Sequence, residues 1–364
     1  MDKPVIKEIG HSKIIQLFFP VSNFHAIVVV DNTALGPSIG GVRVSKDVTI
    51  EEVKRLARTM TMKNSAAGLP HGGGKAGIIA DPRSPEKEHY FRIFSQAIKD
   101  LYEYIPGPDM GSNEECMAWI YDEIGRVTGL PEEIGGLPLD KLGATGFGLS
   151  ECAVIACPYA GIALKGARVA IQGFGSVGKA AAKFLSEKGA IVVAASDTKG
   201  SICNLDGLDV KELLDIKEEK GSVIHYKKGM VKKCEELFST PCDILIPAAT
   251  ADVINKDNVD GVKAKLILQG ANIPITKQAE EVLHKKGILS VPDFIANAGG
   301  VIMAAMEYAK KSEKEAFEAI SERIKKNTKL ILEKTFKENI LPRQAAEAIA
   351  EERILKAMAY RRVL

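Results

Sequence analysis

Apolar residues recur along this chain with two different periods, which predicts a mixture of strands and helices. Runs rich in β-branched residues at 13–20 and 24–31 predict two strands that could pair as a hairpin. Apolar residues spaced three and four positions apart predict helices at about 50–66 and 86–103. The first third of the chain is therefore expected to form a mixed α/β unit.

Further along, short apolar runs alternate with helical patterns. The predicted strands lie at 167–172, 190–195, 242–247, 264–269 and 288–291. Strands that alternate with helices are typical of a parallel, doubly wound sheet. Residues 130–143, before this region, are rich in proline and glycine, which predicts a connecting segment. The tail from about 312 is charged, rich in lysine and helical in pattern.

The segment 60–77 carries two lysines, Lys63 and Lys75, twelve positions apart. Lys75 directly follows three glycines, so the backbone could wrap a small ligand and present the amine to it. Burial of this amine beside Lys63 as a second cation would lower its pKa, as a general base needs. A glycine-rich surface loop with solvated lysines is the alternative, and these residues alone leave it open.

A second glycine-rich motif, Gly173-Phe-Gly-Ser-Val-Gly178, lies between a predicted strand and a helical pattern. Asp197 ends the next predicted strand, nineteen residues after the last glycine. This order of strand, turn, helix, strand and acid is the fingerprint of dinucleotide binding. The glycines would let a pyrophosphate approach the N-terminus of the helix, and Asp197 would bind the ribose hydroxyls of NAD.

Seven sequence blocks, in chain order, carry a resemblance to a known family. They are 35–43, 60–77, 107–111, 144–148, 173–178, 270–272 and 297–300. On these blocks the chain resembles the glutamate/leucine/phenylalanine/valine dehydrogenases over roughly residues 24–310. The resemblance implies an α/β protein of two domains, an N-terminal mixed α/β substrate domain and a Rossmann-type doubly wound NAD-binding domain.

The resemblance also implies where these domains lie. Residues 1–135 would form the substrate-binding and catalytic domain, and residues 136–330 the dinucleotide-binding domain. The helices from about 330 to 364 would pack back on the first domain. A homo-oligomer, hexameric or octameric, is expected for the same reason.

Roles for single residues follow from the resemblance as well. Lys75 and Asp109 match the catalytic lysine and acid–base aspartate, and Lys63 matches the lysine that binds the substrate α-carboxylate. Further substrate-binding positions are Ile39, Gly40, Gly41, Asn297 and Ala304. Cofactor-binding positions are Thr145, Gly173, Gly175, Ser176, Val177, Gly178, Asp197, Thr198 and Asn272.

Some of these polar residues have structural alternatives. Asp109 follows a proline and could be an ordinary turn aspartate. Thr145, Asn272 and Asn297 could each cap a helix, and for Asn297 capping and ligand binding are equally supported by the sequence.

The implied reaction is reversible NAD(P)-dependent oxidative deamination. An L-amino acid loses hydride from its Cα to the cofactor, and water converts the imine to a 2-oxo acid and ammonia. We expect NAD, because Asp197 would repel a 2′-phosphate. NADP stays possible, since Lys199 could pair with that phosphate.

Two positions predict the class of amino acid. Glutamate-specific members carry a lysine where this chain has Ile39, and a serine where it has Ala304. An apolar pocket leaves a buried carboxylate unpaired, whereas burial of an aliphatic side chain gains about 1.5–3 kcal/mol. We therefore predict leucine- or valine-type substrates, with glutamate dehydrogenase as the alternative, which segments 197–208 and 117–119 favour.

Two non-enzymatic hypotheses are weaker. A cofactor-sensing paralogue without activity would be expected to lose Lys75 or Asp109, and this chain keeps both. A purely structural scaffold would not need the dinucleotide fingerprint.

Composition adds limits to this picture. Lysine plus arginine (49) nearly balances aspartate plus glutamate (47), which argues against nucleic acid or an anionic membrane as the main partner. The opening residues 1–5 do not resemble a secretory signal, so we expect a cytoplasmic protein. Six scattered cysteines are expected to stay reduced, and no metal is expected, because no cluster shows ligand spacing.

Overall fold

The structure is a computed structural model that describes residues 9–22 and 24–361. The opening residues, which bear on a secretory signal, and the last three residues of the predicted C-terminal helices lie outside these ranges. The described chain divides into two compact units. The first comprises the described residues of Met1–Pro138, Val301–Ala316 and Glu347–Leu364, and the second comprises Leu139–Gly300 and Phe317–Ala346.

A five-stranded mixed sheet forms the centre of the first unit. Its strands are β1 (Lys13–Phe19), β2 (Phe24–Asn32), β3 (Ser38–Ser45), β4 (Gly72–Ile79) and β5 (Tyr104–Pro108), in the spatial order β1-β2-β4-β3-β5. The predicted pairing of the first two strands is confirmed, because β1 and β2 run antiparallel. Strand β3 is parallel to both β4 and β5, so the carboxyl ends of these three strands lie on one edge of the sheet.

Three helices of the first unit follow from local signals. They are α1 (Ile50–Ala66), α2 (Lys87–Ala97) and α3 (Glu114–Ile124). Thr49 caps α1 by accepting a hydrogen bond from the backbone of Glu52, and the predicted bounds of this helix are confirmed. The helix predicted at 86–103 ends early, at Ala97. Arg126 donates to the carbonyls of Ile98, Lys99, Leu101 and Tyr104, so a tertiary contact takes acceptors that a longer helix would use.

The glycine-rich segment before Lys75 is a buried central strand, so the surface-loop alternative is wrong. A Cβ added to Gly72 would lie 1.7 Å from the carbonyl oxygen of Asn32, and one added to Gly73 would lie 2.0 Å from the backbone nitrogen of Thr61. Only glycine allows β2 and α1 to approach this closely. The glycines therefore serve close packing around the lysine.

A seven-stranded sheet forms the centre of the second unit. Its strands are β6 (Arg168–Gln172), β7 (Ile191–Asp197), β8 (Gly200–Cys203), β9 (Met230–Lys232), β10 (Ile244–Pro247), β11 (Leu266–Leu268) and β12 (Leu289–Val291). The spatial order is β12-β11-β10-β6-β7-β8-β9. The five predicted strands are confirmed and run parallel, whereas β8 and β9 extend the edge beyond β7 as antiparallel strands that the sequence did not predict.

The remaining helices connect and cover these strands. They are α4 (Leu139–Leu142), α5 (Ala144–Tyr159), α6 (Ser176–Glu187), α7 (Val210–Lys220), α8 (Lys277–Lys285), α9 (Asp293–Ala296), α10 (Gly299–Tyr308), α11 (Glu313–Glu338) and α12 (Pro342–Tyr360). The predicted helical tail is confirmed in α11 and α12. Within 9–22 and 24–361, no helix is both long and apolar enough to span a membrane.

Candidate functional site

Lys75 lies in the middle of β4 and is almost completely buried, with 6% of its surface exposed. Its Nζ forms an ion pair with Oδ2 of Asp109 at 3.0 Å. Burial lowers the pKa of the lysine, although the neighbouring carboxylate opposes this shift. An amine in this position is therefore closer to its neutral form than a surface lysine at the same pH.

A second cation at this pair is Arg43, which lies on β3. Its Nε donates to the same oxygen of Asp109 at 2.9 Å, and its Nη1 donates to Glu52 at 2.5 Å. Burial opposes the charge of Arg43, but the two carboxylates outweigh it and raise its pKa. Arg43 also contributes to the lowered pKa of Lys75.

Arg43 supplies an electrostatic effect that the sequence analysis did not assign to it. Lys63, which we expected to lie beside Lys75 as the second cation, is in the last turn of α1, and its place beside Lys75 stays a prediction. Arg43 ends the block 35–43, two residues after Gly41. Residues two apart on a strand share a face, so the spacing of Arg43 from Gly41 could have identified it.

Asp109 follows the end of β5 and is held by its own turn. Its backbone N–H donates to Ser112 Oγ at 2.8 Å, and that hydroxyl donates to the carbonyl oxygen of Val42. A Cβ on Gly41 would lie 2.7 Å from the Cβ of Asp109, so glycine is needed for the aspartate to sit against β3. Both cations contact Oδ2.

Ile39 shares the face of the sheet that carries Lys75. It pairs with Gly73 in the β3–β4 ladder, and Lys75 is two residues further along β4 on the same face. Ile39 is buried, with 6% of its surface exposed. Its neighbour Gly40 accepts a hydrogen bond from the hydroxyl of Tyr104 at 2.8 Å. Ala304 lies in α10, half-buried, in the same unit.

His71 precedes the glycine strand and is also buried. Its Nδ1 lies 3.2 Å from the carbonyl oxygen of Pro37, and its ring packs edge-on against Tyr308 at 5.9 Å. Burial lowers the pKa of the imidazole, and the hydrogen bond to Pro37 opposes this. The ring is therefore neutral near pH 7 and packs beside the strand that carries Lys75.

The dinucleotide fingerprint lies at the carboxyl edge of the second sheet. Gly173 follows β6 with a φ of 92°, which favours glycine, and a Cβ on it would lie 2.8 Å from Ala249, beyond the end of β10. Beside β6 the chain adds β7 on one side and β10 on the other, so the strand order reverses between β6 and β10, where ligands of such sheets bind.

The first turn of α6 is open at its N-terminus. Gly175 and Ser176 are exposed, and a Cβ on Gly175 would meet nothing within 4 Å. Gly175 is the N-cap and has no side chain to satisfy the N–H groups of Val177 and Gly178. Gly178 packs tightly, since a Cβ there would lie 1.9 Å from the carbonyl oxygen of Gly173. These residues fit a dinucleotide pyrophosphate.

Three more predicted cofactor or substrate residues come together in the second unit. Nδ2 of Asn297 donates to the carbonyls of Gly270 and Ala271 and to Oδ1 of Asn272, at 3.2–3.3 Å. Asn297 therefore does not cap α10, and its buried Oδ1 has no hydrogen-bond partner among the described residues. Thr145 lies in the first turn of α5, whose N-cap is Gly143, so it is not a cap either.

Gly299 and Gly300, which follow Asn297, pack against the N-terminal end of α5. A Cβ on Gly300 would lie 3.1 Å from Oγ1 of Thr145, and one on Gly299 would lie 2.1 Å from the carbonyl oxygen of Ala144. Asn272 itself is exposed. The orphaned Oδ1 of Asn297 and the hydroxyl of Thr145 thus lie on segments that pack against each other.

Asp197 lies at the end of β7, as predicted, but its carboxylate is engaged by its own chain. It accepts hydrogen bonds from Lys217, Ser222 and two backbone N–H groups, and 6% of its side chain is exposed. Thr198 follows in an exposed turn. Ribose binding by Asp197 stays a prediction.

Cysteines and metal ligands add no further site. All six cysteines lie at described positions and none forms a disulfide. Among residues 9–22 and 24–361, no group of three or more His, Cys, Asp or Glu side chains is placed to hold a metal ion.

Two profiles of known families match this chain. A family profile described as "Glutamate/Leucine/Phenylalanine/Valine dehydrogenase" matches residues 135–362. A second, described as "Glu/Leu/Phe/Val dehydrogenase, dimerisation domain", matches residues 13–126. The two matches cover the described parts of both units almost completely.

Individual relatives carry related names. The chain is 42% identical to the glutamate dehydrogenase of Aeropyrum pernix over 91% of this chain and 85% of that protein. It is 40% identical to the NADP-specific glutamate dehydrogenase of Saccharolobus shibatae, over 92% of this chain and 84% of that protein.

Solved structures of amino-acid dehydrogenases align with almost the whole of this chain. The hetero-hexameric glutamate dehydrogenase of Thermus thermophilus in its leucine-bound form aligns with a TM-score of 0.84 and 30% identity, over 97% of this chain and 91% of that one. The L-tryptophan dehydrogenase of Nostoc punctiforme aligns with a TM-score of 0.77 and 26% identity, over 97% and 98%. The chain therefore belongs to the Glu/Leu/Phe/Val dehydrogenase family and is an NAD(P)-dependent amino-acid dehydrogenase that acts on the CH–NH2 group of its donor.

Proposed function

We propose that Lys75 and Asp109 are the acid–base pair of a reversible oxidative deamination and that L-glutamate is the substrate. The observation that carries the catalytic part is the buried ion pair between Lys75 on β4 and Asp109 after β5. A buried amine with a lowered pKa and a carboxylate fixed beside it are what proton transfer near neutral pH requires.

Each group has a separate task in this proposal. Arg43 and Lys75 contact Oδ2 of Asp109 and hold the carboxylate in place, and Asp109 exchanges a proton with the amino nitrogen of the substrate. Lys75, in its neutral form, takes a proton from the water that attacks the imine carbon. Lys63 binds the α-carboxylate. The nicotinamide cofactor supplies the acceptor for the hydride that leaves Cα.

In this proposal the substrate and the cofactor are bound by different parts of the chain. We propose that residues 1–135 act as the substrate-binding and catalytic domain and residues 136–330 as the dinucleotide-binding domain. Gly40 and Gly41 would present backbone groups to the substrate, while Thr145, Asn272 and Asn297 would contact the cofactor. Support comes from the orphaned Oδ1 of Asn297 and from the open helix N-terminus at Gly175.

Glutamate is supported by the relatives. The proteins of Aeropyrum pernix, Saccharolobus shibatae and Thermotoga maritima, 40–42% identical to this chain, are all named glutamate dehydrogenases. These names favour glutamate dehydrogenase, which the sequence analysis gave as the alternative. They do not favour its main prediction, a preference for leucine- or valine-type substrates.

An aliphatic substrate is a second candidate because of one specific observation. Ile39, on the face that carries Lys75, is buried and offers no charge to a γ-carboxylate. Ala304, in the same unit, has no hydroxyl to donate. An apolar pocket of this kind rejects an unpaired charge strongly and discriminates weakly between aliphatic side chains.

A substrate panel separates the two candidates. Reduction of NAD and NADP would be followed with L-glutamate, L-leucine, L-valine and L-norvaline, using the wild-type protein and Ile39→Lys. The glutamate proposal expects the highest kcat/KM for glutamate in the wild type. A higher kcat/KM for leucine, valine or norvaline, with a shift towards glutamate in Ile39→Lys, would replace it with the second candidate.

We also propose that the chain forms a homo-oligomer, a hexamer or an octamer. The support is the match of residues 13–126 to a dimerisation domain and the hetero-hexameric assembly of the Thermus thermophilus neighbour. Light scattering after size-exclusion chromatography measures the assembly, and a monomer at micromolar concentration would contradict this proposal.

A further inference from the structure

The acid that ends β7 has every acceptor position taken by its own chain. Oδ1 of Asp197 accepts hydrogen bonds from the backbone N–H of Lys199 at 3.0 Å and from Ser222 Oγ at 2.9 Å. Oδ2 accepts from the ammonium of Lys217 at 2.7 Å and from the backbone N–H of Val223 at 2.9 Å. A carboxylate offers about four lone-pair positions, so four donors saturate it.

The charge of this carboxylate is also balanced. Its side chain is 6% exposed and that of Lys217 is 20% exposed, so the ion pair is largely shielded from water. Burial opposes the ionised form of Asp197, but the hydrogen bonds from Lys217 and its neighbours outweigh it and hold the pKa below its usual range. Asp197 is therefore ionised, paired and fully hydrogen-bonded at neutral pH.

An acid at this place in a dinucleotide-binding sheet usually does two things. It accepts hydrogen bonds from the ribose hydroxyls, and its charge repels a 2′-phosphate, so it favours NAD. A saturated carboxylate can accept from a ribose only by giving up an existing partner. A neutralised carboxylate repels a phosphate only weakly. Asp197 as the structure holds it does not suit either task.

Two lysines lie close to Asp197 along the chain or in space. Lys199 follows Asp197 in the turn between β7 and β8, and its side chain is exposed. Lys217, on α7, donates to Asp197 and to the carbonyl oxygen of Gly221 at 2.9 Å, which leaves one of its three N–H groups. A lysine ammonium can bind a phosphate through a charge-assisted hydrogen bond.

We propose that Asp197 anchors the segment 217–223 to the end of β7 and that Lys199, with Lys217 beside it, binds the 2′-phosphate of NADP(H). This inference rests on the dinucleotide site of the proposed function and replaces the predicted preference for NAD. The chain then binds NADPH at least as tightly as NADH.

Direct binding tests this inference without turnover. NADPH and NADH would be titrated by fluorescence into the intact wild-type protein, Lys199→Ala and the control Lys211→Ala, an exposed lysine at the opposite end of α7 from Lys217. Loss of one charge-assisted hydrogen bond should weaken NADPH about tenfold in Lys199→Ala. NADH should be unaffected there, and both cofactors unaffected in Lys211→Ala.

Two results would overturn the proposal. One is tighter binding of NADH than of NADPH by the wild type, and the other is unchanged NADPH binding in Lys199→Ala. Asp197→Asn adds a second readout, because an anchor should lower the thermal unfolding temperature and leave the NADH affinity within about twofold. A large loss of NADH affinity with an unchanged unfolding temperature would mark Asp197 as a ribose ligand instead. Absence of turnover with every amino acid would refute the proposed function but leave these titrations valid.

Discussion

At the scale of single residues, the proposed chemistry depends on one carboxylate oxygen that two cations share. Oδ2 of Asp109 contacts Lys75 and Arg43, and Glu52 holds Arg43 from the other side. A chain of alternating charges fixes the aspartate while burial keeps the lysine closer to its neutral form. The roles of these four residues can be separated by substitution.

Replacing Asp109 should remove the acid–base group without unfolding the protein. Because such groups contribute at least about 10²-fold, we expect Asp109→Asn to lower kcat by this factor. The matched control is Asp81→Asn, which breaks an exposed Lys46–Asp81 ion pair in the same unit. Surface pairs of this kind contribute little, so the control should retain wild-type kcat and unfolding temperature. Wild-type turnover in Asp109→Asn would exclude the assigned role.

Replacing Arg43 should change the pH dependence of turnover. In the proposed function neutral Lys75 is the active form, so kcat should fall as the pH drops through its pKa. Arg43 contributes to the lowered pKa of Lys75, and Arg43→Met should therefore raise that pKa and move the acid limb of the kcat profile to higher pH. Arg43→Lys, which keeps the charge, should restore the limb towards its wild-type position. An acid limb that stays in place in Arg43→Met would contradict this role.

At the scale of elements, two glycines at the start of α6 have different surroundings. Gly178 is enclosed, since a Cβ would lie 1.9 Å from the carbonyl oxygen of Gly173, whereas a Cβ on Gly175 would meet open space. The same motif thus contains one position that stabilises the fold and one that leaves room for a ligand. A pair of alanine substitutions can tell them apart.

We expect opposite effects from these two substitutions. Gly178→Ala should destabilise the protein by about 1–3 kcal/mol, the cost of overpacking, and lower its unfolding temperature. Gly175→Ala should leave the unfolding temperature unchanged but weaken NADPH and NADH alike, because the pyrophosphate approaches the backbone there. Calorimetry and fluorescence titration measure the two effects. Unchanged binding in Gly175→Ala would mean that the ligand does not approach this turn.

The parts of the fold that the sequence predicted are those with local signals. Helix α1 has its cap at Thr49 and a clear period, and the parallel strands of the second sheet alternate with helices. Strand β4 was missed because glycines have a low propensity for strands, and its need for them arises from contacts with Asn32 and Thr61 that are distant in sequence. The end of α2 depends likewise on Arg126.

For single residues, too, the sequence identified what local motifs carry and missed what depends on long-range contacts. The pairing of Lys75 with Asp109 matched the family motifs, and the structure brings these two residues together. Arg43 was missed, because a sequence does not show which cation lies on the face of Lys75. The saturation of Asp197 depends on Lys217 and Ser222, some twenty residues away, which no spacing rule relates to the acid.

At the scale of the whole molecule, the proposed function assigns different halves of the reaction to the two units. The first holds the buried lysine–aspartate pair, and the second holds the open helix N-terminus and the orphaned Asn297 oxygen. Neither half alone accounts for an amino-acid dehydrogenase, since hydride transfer needs the cofactor and deamination needs the proton carriers. The stoichiometry of the products therefore tests both together.

The most direct test measures ammonia, 2-oxo acid and reduced cofactor in one reaction. Wild-type protein, Lys75→Ala and the surface control Lys46→Ala would be supplied with L-glutamate and with NADP or NAD. We expect one ammonia and one 2-oxoglutarate for each NADPH or NADH formed by the wild type and the control, and a rate at least about 10²-fold lower in Lys75→Ala. Equal rates in the wild type and Lys75→Ala, or reduced cofactor without ammonia, would contradict the assignment of Lys75 and Asp109 as the deaminating pair.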